Sequence, residues 1–444
     1  MTERIMNSSI VLKIKERRGS SAVLLAMIFT GFAICIAGAI VVSRKLVVSS
    51  ECEVMGRLWT KAILSEYDVH LLEDYSILAY FGNDDEVSEK LNAYLDYSLR
   101  NKMDSSVKGV NADLTGLELG DPVNFKKALE QGFGSSVASE LISGNSRTKR
   151  ETNDNDQKAD SRVINDSVVL DTLPSHGMGG TVSGETLTEK AKYYGDEEGL
   201  WGSLKGAGAE ILMIERCFDN HVTVADNKEH LLVNEWEYII KGSNDDEENY
   251  KACKKRLFIA RNALNLVALY SDPEKVELII SVAETITPGP LGLATQVLIA
   301  EAWAALETEE DLKELYSGGR VPVLKTADQW KTGLGAVLDS SEVMDNLDDG
   351  SRELLDENRG ELSELAGQLD TVAQFKDGLN YDEYLLIMIM SLNENLRLLR
   401  MMDLIQINMK YRYYKDFNMM EYYTGTRFTI CVNGKDHEFE DHYK

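Results

Sequence analysis

The chain has 444 residues, 43% hydrophobic and 27% charged, which is enough apolar content for a folded core and excludes global disorder. Asp and Glu number 74 against 47 Lys and Arg, a formal charge of -27. A surface this acidic repels nucleic acid, so no nucleic-acid partner is expected. Only six prolines occur, which favours long helices.

Residues 1–19 form a basic segment containing Arg4, Lys13, Lys15, Arg17 and Arg18. The following run, Ala22 to Val42, carries no charge. As a helix it would rise about 31 Å, matching the ~30 Å hydrocarbon core of a bilayer, and it lacks the polar face of a buried core helix. A transmembrane helix over 20–43 is therefore expected. The cationic residues concentrate before it, which places the N-terminus in the cytoplasm and the remainder of the chain outside. Ala37-Gly38-Ala39 fits a signal-cleavage pattern, but the apolar run is longer than an ordinary signal core and continues past that site, which favours a retained anchor.

Residues 44–142 read as a membrane-proximal region. From Arg44 to Phe81 apolar residues recur at Met55, Trp59, Ala62, Tyr67, Leu71, Tyr75 and Leu78, one face of a long helix that continues the membrane helix. Met55, Trp59 and Leu71 on this face are candidates for contact with a partner. A second amphipathic stretch covers Val87 to Leu99, and Val107 to Leu119 alternates weakly like a strand. Asp121-Pro122 then opens a helix toward Leu141, since Asp caps well and Pro suits the first turn. Residues 143–185 are rich in Ser, Thr, Asn, Asp and Gly, with one apolar patch from Val168 to Leu173. Such a composition does not offset its ordering entropy, so a flexible insertion is expected here.

The distal part, 186–444, is patterned for helices over Thr186–Phe218, Leu231–Lys241, Glu247–Tyr270, Asp272–Ile286, Leu291–Tyr316 and Tyr381–Lys410. The stretches between Ala327 and Gln374 look like exposed helices or loops. Asn433-Gly434 between two alternating runs predicts a type I′ hairpin, Arg427–Val432 with Lys435–Glu440. The fold class expected is α+β, predominantly α: an N-terminal transmembrane helix, a helical ectodomain with minor β elements and a C-terminal hairpin.

No metalloprotease, P-loop, nucleophile-elbow or EF-hand motif occurs, so no enzymatic activity, cofactor or small-molecule substrate is expected. Cys52, Cys217, Cys253 and Cys431 lie outside the span; they allow three disulfide pairings or remain buried thiols. A zinc set of Cys217, His221, His230 and Cys253 has spacing too wide for a compact structural site. Arg261 and Asn265 share a helix face at i,i+4, and a buried Arg261 needs a carboxylate, for which Glu235 and Glu237 are the natural partners. Arg400 and Asp403 lie at i,i+3 and are a second candidate ion pair in a core helix with a polar seam.

Several of these residues carry a family resemblance. They are Arg18-Gly19-Ser20 before the span, Glu66-Tyr67-Asp68 and Leu71-Leu72-Glu73-Asp74-Tyr75 after it, Glu235-Trp236-Glu237-Tyr238-Ile239 with Gly242, and Arg261 with Asn265. Ala302-Trp303-Ala304, Gly319 with Val321-Pro322, and Asp403-Leu404-Ile405-Gln406 with Asn408 complete the set. The chain resembles uncharacterised Firmicutes membrane proteins encoded with Tad (Flp-type) pilus machinery, whose N-termini are similar to the TadE and TadG pseudopilins. One departure stands out: prepilins are cut after a glycine with Glu fifth beyond it, and the fifth residue after Gly19 is Leu24. The resemblance implies a single-pass accessory or minor subunit of a Tad-like pilus or secretion apparatus, with other single-span subunits as partners. The alternative is a membrane-tethered extracellular binding module, an adhesin or sensor.

Overall fold

The structure, a computed structural model, describes residues 3–100, 107–143, 151–152, 162–176, 207–224, 230–290, 292–339 and 378–443. The exposed helices expected between Ser340 and Gln374, and the start of the helix expected at Thr186, lie outside the described residues. The fold is α+β and mostly α. Its helices are α1 (Glu3–Leu64), α2 (Val69–Tyr75), α3 (Asp84–Leu95), α4 (Pro122–Ser143), α5 (Ser167–Asp171), α6 (Gly208–Cys217) and α7 (Glu235–Lys241). After them come α8 (Asp246–Tyr270), α9 (Pro273–Ile286), α10 (Gly292–Tyr316), α11 (Leu334–Asp339), α12 (Tyr381–Met390) and α13 (Glu394–Arg412). One sheet has three strands, β1 (Val107–Ala112), β2 (Gly425–Val432) and β3 (Lys435–His442).

The chain divides into two compact units. One comprises Met1–Glu66, Tyr80–Leu117 and Gly425–Tyr443; the other comprises Tyr67–Ala79 and Glu118–Thr424. The C-terminal hairpin therefore belongs with α1 and residues 80–117 and not, as the sequence suggested, with the distal helices.

In the first unit α1 is long and apolar enough to cross a membrane, and its apolar stretch is wholly exposed. Its last turns bury Cys52, Trp59 and Ile63, and the helix packs against β2 and β3. Gly56 is the point of closest approach, because the Phe439 ring occupies the space a Cβ would take. Phe439 stacks on Phe428 across the β2–β3 pair, ring centroids 5.3 Å apart. Asn433 and Gly434 turn the hairpin with φ of 52° and 76°, the left-handed pair a type I′ turn needs. At the far edge, α3 protects β1. Asp84, Ser88 and Asn92, one helical turn apart, accept the backbone N–H groups of Leu114, Ala112 and Val110 at 2.8, 2.8 and 3.1 Å. The match is metric: four helical residues advance about 6 Å and two strand residues about 6.6 Å. An edge strand is thereby closed to further pairing.

The second unit holds the main core. The helix expected to run from Arg44 to Phe81 stops at Leu64 and restarts as α2, because the Asp68 carboxylate accepts the N–H groups of His70 and Leu71 at 2.9 and 3.0 Å and caps a new helix. Leu71 is fully buried in this core, and Trp59 is only 3% exposed. Those two residues are thus internal and do not face a partner; Met55 is half-buried. The single helix expected over Tyr381–Lys410 is two, α12 and α13, because Asn393 caps the second by accepting the Asn395 N–H at 3.0 Å.

Residues 162–176 correct the flexible-insertion reading over their length. Ile164 and Leu173 are buried in the main core, and Arg162 donates to the carbonyls of His230 and Leu231 at 2.6 and 3.1 Å. Two apolar anchors and a set of directed hydrogen bonds offset the ordering cost of a polar segment.

The Gly56–Phe439 contact makes a stability prediction. Gly56→Ala overpacks the helix–sheet junction and costs about 1–3 kcal/mol. Denaturant unfolding of the full chain in detergent measures the loss, and the added change Phe439→Leu recovers part of it; an unchanged midpoint in Gly56→Ala contradicts the packing described.

Candidate functional site

Helix α13 is buried on every side from Leu396 to Met409. Its polar residues therefore need partners inside the protein, and their bonds draw the surrounding segments onto it. Arg397 Nε donates to Glu210 of α6 at 2.7 Å. Arg400 Nη1 donates to the carbonyls of Ile239 and Ile240 at 2.9 and 2.8 Å, capping the C-terminal end of α7. Gly242 follows at φ 74°, and a side chain there would meet Arg400 Nε at 2.7 Å. Gln406 donates to the Thr172 carbonyl at 2.8 Å and accepts the Met419 N–H at 3.0 Å.

Asp403 accepts the Ser175 N–H at 2.9 Å and the Tyr238 hydroxyl at 3.1 Å. Burial pushes its carboxyl up to about 6, against the pull of the Ser175 and Tyr238 hydrogen bonds and of the Arg400 charge. The i,i+3 neighbours Arg400 and Asp403 are thus brought together electrostatically, but each spends its hydrogen bonds on other segments. Beside them lies a cavity of about 660 Å³, lined by Leu170, Ser175, His176, Tyr238, Lys241 and Arg400 among others. Lys241 is paired with Glu248 at 3.3 Å.

Arg261 is fully buried, as expected, but its carboxylate is neither Glu235 nor Glu237. It reaches Asp311 on α10 with Nε at 3.1 Å and Nη2 at 2.7 Å. Its other bonds go to Asn265 Oδ1 at 3.1 Å, the Tyr384 hydroxyl at 2.9 Å, and the carbonyls of Pro322 and Val323. Lys325 joins both Asp311 and Glu307, and Glu307 also accepts the backbone N–H groups of Lys331 and Thr332. Two cations and two carboxylates balance in this nearly dry site. The signal that identifies the partner was present: Trp303, Glu307 and Asp311 share one face of α10 at four-residue spacing, so two acids sit on the stripe that enters the core.

Glu237 and Glu235 lie on either side of α7. Glu237 accepts the Tyr381 hydroxyl at 2.6 Å and the His221 N–H at 3.1 Å, and burial raises its carboxyl to about 7. The His221 ring stacks on Tyr250 with centroids 3.8 Å apart. Glu235 accepts the Asp219 N–H at 2.8 Å, His230 Nδ1 lies 2.7 Å from the same oxygen, and Asn408 Nδ2 donates to the other oxygen at 2.6 Å. Asp219 Oδ2 is 3.5 Å from His230 Nδ1. The zinc set of Cys217, His221, His230 and Cys253, too widely spaced in sequence, is not what His230 meets: it meets Asp219 and Glu235, while His221 stacks on Tyr250 and contacts Asn234. No disulfide joins the five cysteines. Burial raises the Cys52 thiol to about 11, with Glu53 adding to it, and raises Cys253 further, so both stay protonated at neutral pH.

The family follows from the comparison with known sequences. The chain belongs to a family of unknown function (DUF5702), whose model matches residues 157–434. That match takes in α13 and its seam, the Arg261 cluster and the Glu235 cluster, and leaves out α1. No curated protein and no solved structure matches the chain.

Two outcomes test the electrostatics. The Asp403 carboxyl titrates at about 6 in the folded chain against an ordinary 3.8, so the native state holds its proton more tightly and stability falls as pH rises between those values. Asp403→Asn removes that dependence: relative to wild type, the variant gains about 2 kcal/mol between pH 4 and pH 7. Urea unfolding across that range reads it, and a difference independent of pH contradicts the assignment. Asp311→Ala strands Arg261, leaving Lys325 with Glu307 alone, and costs about 3–5 kcal/mol in the same assay.

Proposed function

We propose that this DUF5702 protein is a non-enzymatic, single-pass membrane subunit, an accessory or minor component of a Tad-like pilus or secretion apparatus. In this reading α1 is anchored with its N-terminus in the cytoplasm and the acidic remainder of the chain outside. The observation that carries the proposal is the continuity of α1 from Glu3 to Leu64. The same helix is exposed and apolar at one end and a packed member of a folded unit at the other, so the anchor and the outer unit are mechanically one piece. Cationic residues ahead of the span support the orientation. The TadE- and TadG-like residues around the span supply the pilus context. The buried polar clusters support a structural role, because their bonds pin backbone segments.

The surface that would meet another single-span subunit is redrawn by the packing of α1. Trp59 faces inward, whereas Val54 and Leu58 are 61% and 58% exposed, and Val47 lies on the same helical face below them. This stripe is continuous with the membrane-spanning stretch. A second reading, a tethered extracellular binding module, is favoured by the cavity beside Tyr238 and Arg400.

In-cell crosslinking of the tagged full chain, followed by mass spectrometry, separates the readings. The subunit reading predicts crosslinks to Tad-type or TadE-like single-span proteins from probes placed at Val54 and Leu58. It also predicts their loss in Val54→Glu with Leu58→Glu at unchanged melting temperature. Capture of extracellular ligands alone, with crosslinking insensitive to those changes, would overturn it in favour of the binding module.

A further inference from the structure

Asp219, His230 and Glu235 come from three separate stretches: the turn after α6, the chain leading into α7, and the first residue of α7. Their ligating atoms all lie within 4.8 Å of one another, and all three residues are buried. His230 Nδ1 stands 2.7 Å from Glu235 and 3.5 Å from Asp219. Around a tetrahedral ion with bonds of about 2.1 Å, ligand atoms sit roughly 3.4 Å apart. The observed separations fall on both sides of that spacing, so small side-chain rotations convert the hydrogen-bonded cluster into a coordination sphere.

Charge argues the same way. Two carboxylates meet in a nearly dry pocket with one imidazole. Such a donor set, one imidazole and two carboxylates, attracts a divalent cation. The outer contacts needed to orient ligands are in place. Asn408 holds Glu235 at 2.6 Å, and the Asp219 N–H donates to Glu235 at 2.8 Å. Arg162 fixes the His230 carbonyl at 2.6 Å.

An independent observation points to a missing ligand. Tyr75 is 2% exposed, and its hydroxyl has no hydrogen-bond partner. Glu235, Cys217 and Asp74 act on that hydroxyl electrostatically, and Asn408, which holds Glu235, lies beside it, so it is in the neighbourhood of the cluster. A buried hydroxyl left unpaired costs about 1–3 kcal/mol. A water held on an ion between Asp219, His230 and Glu235 would give it a partner.

We propose that Asp219, His230 and Glu235 form a structural site for a first-row divalent cation, zinc in the first instance, close to the Tyr75 hydroxyl. The donor set, one imidazole nitrogen and two carboxylate oxygens, suits zinc and extends to manganese and iron(II). The ion would clamp the α6–α7 connection against α13, where Asn408 already reaches Glu235.

The test uses the full chain, purified in detergent through a tag without histidines. Elemental analysis should find one equivalent of metal per chain. After chelator treatment, titration with zinc chloride should restore one equivalent and raise the melting temperature, and cobalt(II) should give visible absorption bands of a low-symmetry site. Asp219→Asn and His230→Gln should each weaken zinc binding by more than the roughly 10–100-fold typical of outer-shell changes, whereas Tyr75→Phe should stay within that range. The proposal is overturned if wild-type chain binds none of zinc, manganese, iron(II) or cobalt(II) stoichiometrically. It is equally overturned if the bound metal survives Asp219→Asn and His230→Gln unchanged. Should those variants not fold, the wild-type stoichiometry and the Tyr75→Phe affinity decide the matter.

Discussion

The second unit is organised by the requirement that polar groups on a fully buried helix find partners. From Leu396 to Met409, α13 has no solvent side, so each polar residue on it dictates which segment lies opposite. Arg397 selects Glu210 on α6, Arg400 selects the end of α7, and Asp403 and Gln406 select the stretch through Thr172 and Ser175. Apolar packing alone tolerates sliding by a turn. Directed bonds at several levels of one helix do not, because a slip would strand several buried groups together, each at a cost of about 1–3 kcal/mol.

The Arg261 cluster applies the same rule to full charges. Bringing Arg261, Lys325, Asp311 and Glu307 into one dry site is expensive, and the site is tolerated because the two signs balance and because peptide groups from 322–323 and 331–332 take up the remaining hydrogen-bonding capacity. The cluster therefore contributes less to net stability than to uniqueness. It fixes the loop after α10 against α8, where shape complementarity alone would leave several arrangements close in energy.

Much of this architecture was legible in the sequence wherever one local signal sufficed. Asp121-Pro122 and Asp272-Pro273 open helices at the expected residues, and Asn433-Gly434 turns the hairpin. The outcome was less legible where it depended on distant partners. Arg261 needed a carboxylate, but a chain with 74 acids offers many, and choosing Asp311 required knowing that α8 packs on α10. Residues 162–176 have the composition of a linker; their order comes from α13 and from two buried anchors, Ile164 and Leu173. The apolar face expected along one helix from Met55 to Leu78 is divided at Leu64, and the part of α1 around Gly56 is covered by the chain's own hairpin. Periodicity reports that a face is covered and is silent on what covers it.

The pairing of β1 with β2, Val110 opposite Ile430, has a consequence for the order of assembly. Ribosomal synthesis delivers α1, α3 and β1 early, while the two strands that complete their sheet are delivered only after the whole of residues 118–424. Throughout that interval the face of α1 at Gly56 lacks the hairpin that packs on it, just beyond a segment suited to a bilayer. Closing so long a loop makes the first unit slow to form relative to contacts that are local in sequence. The helical unit is thus free to fold before the sheet closes, which happens only when the hairpin returns to α1.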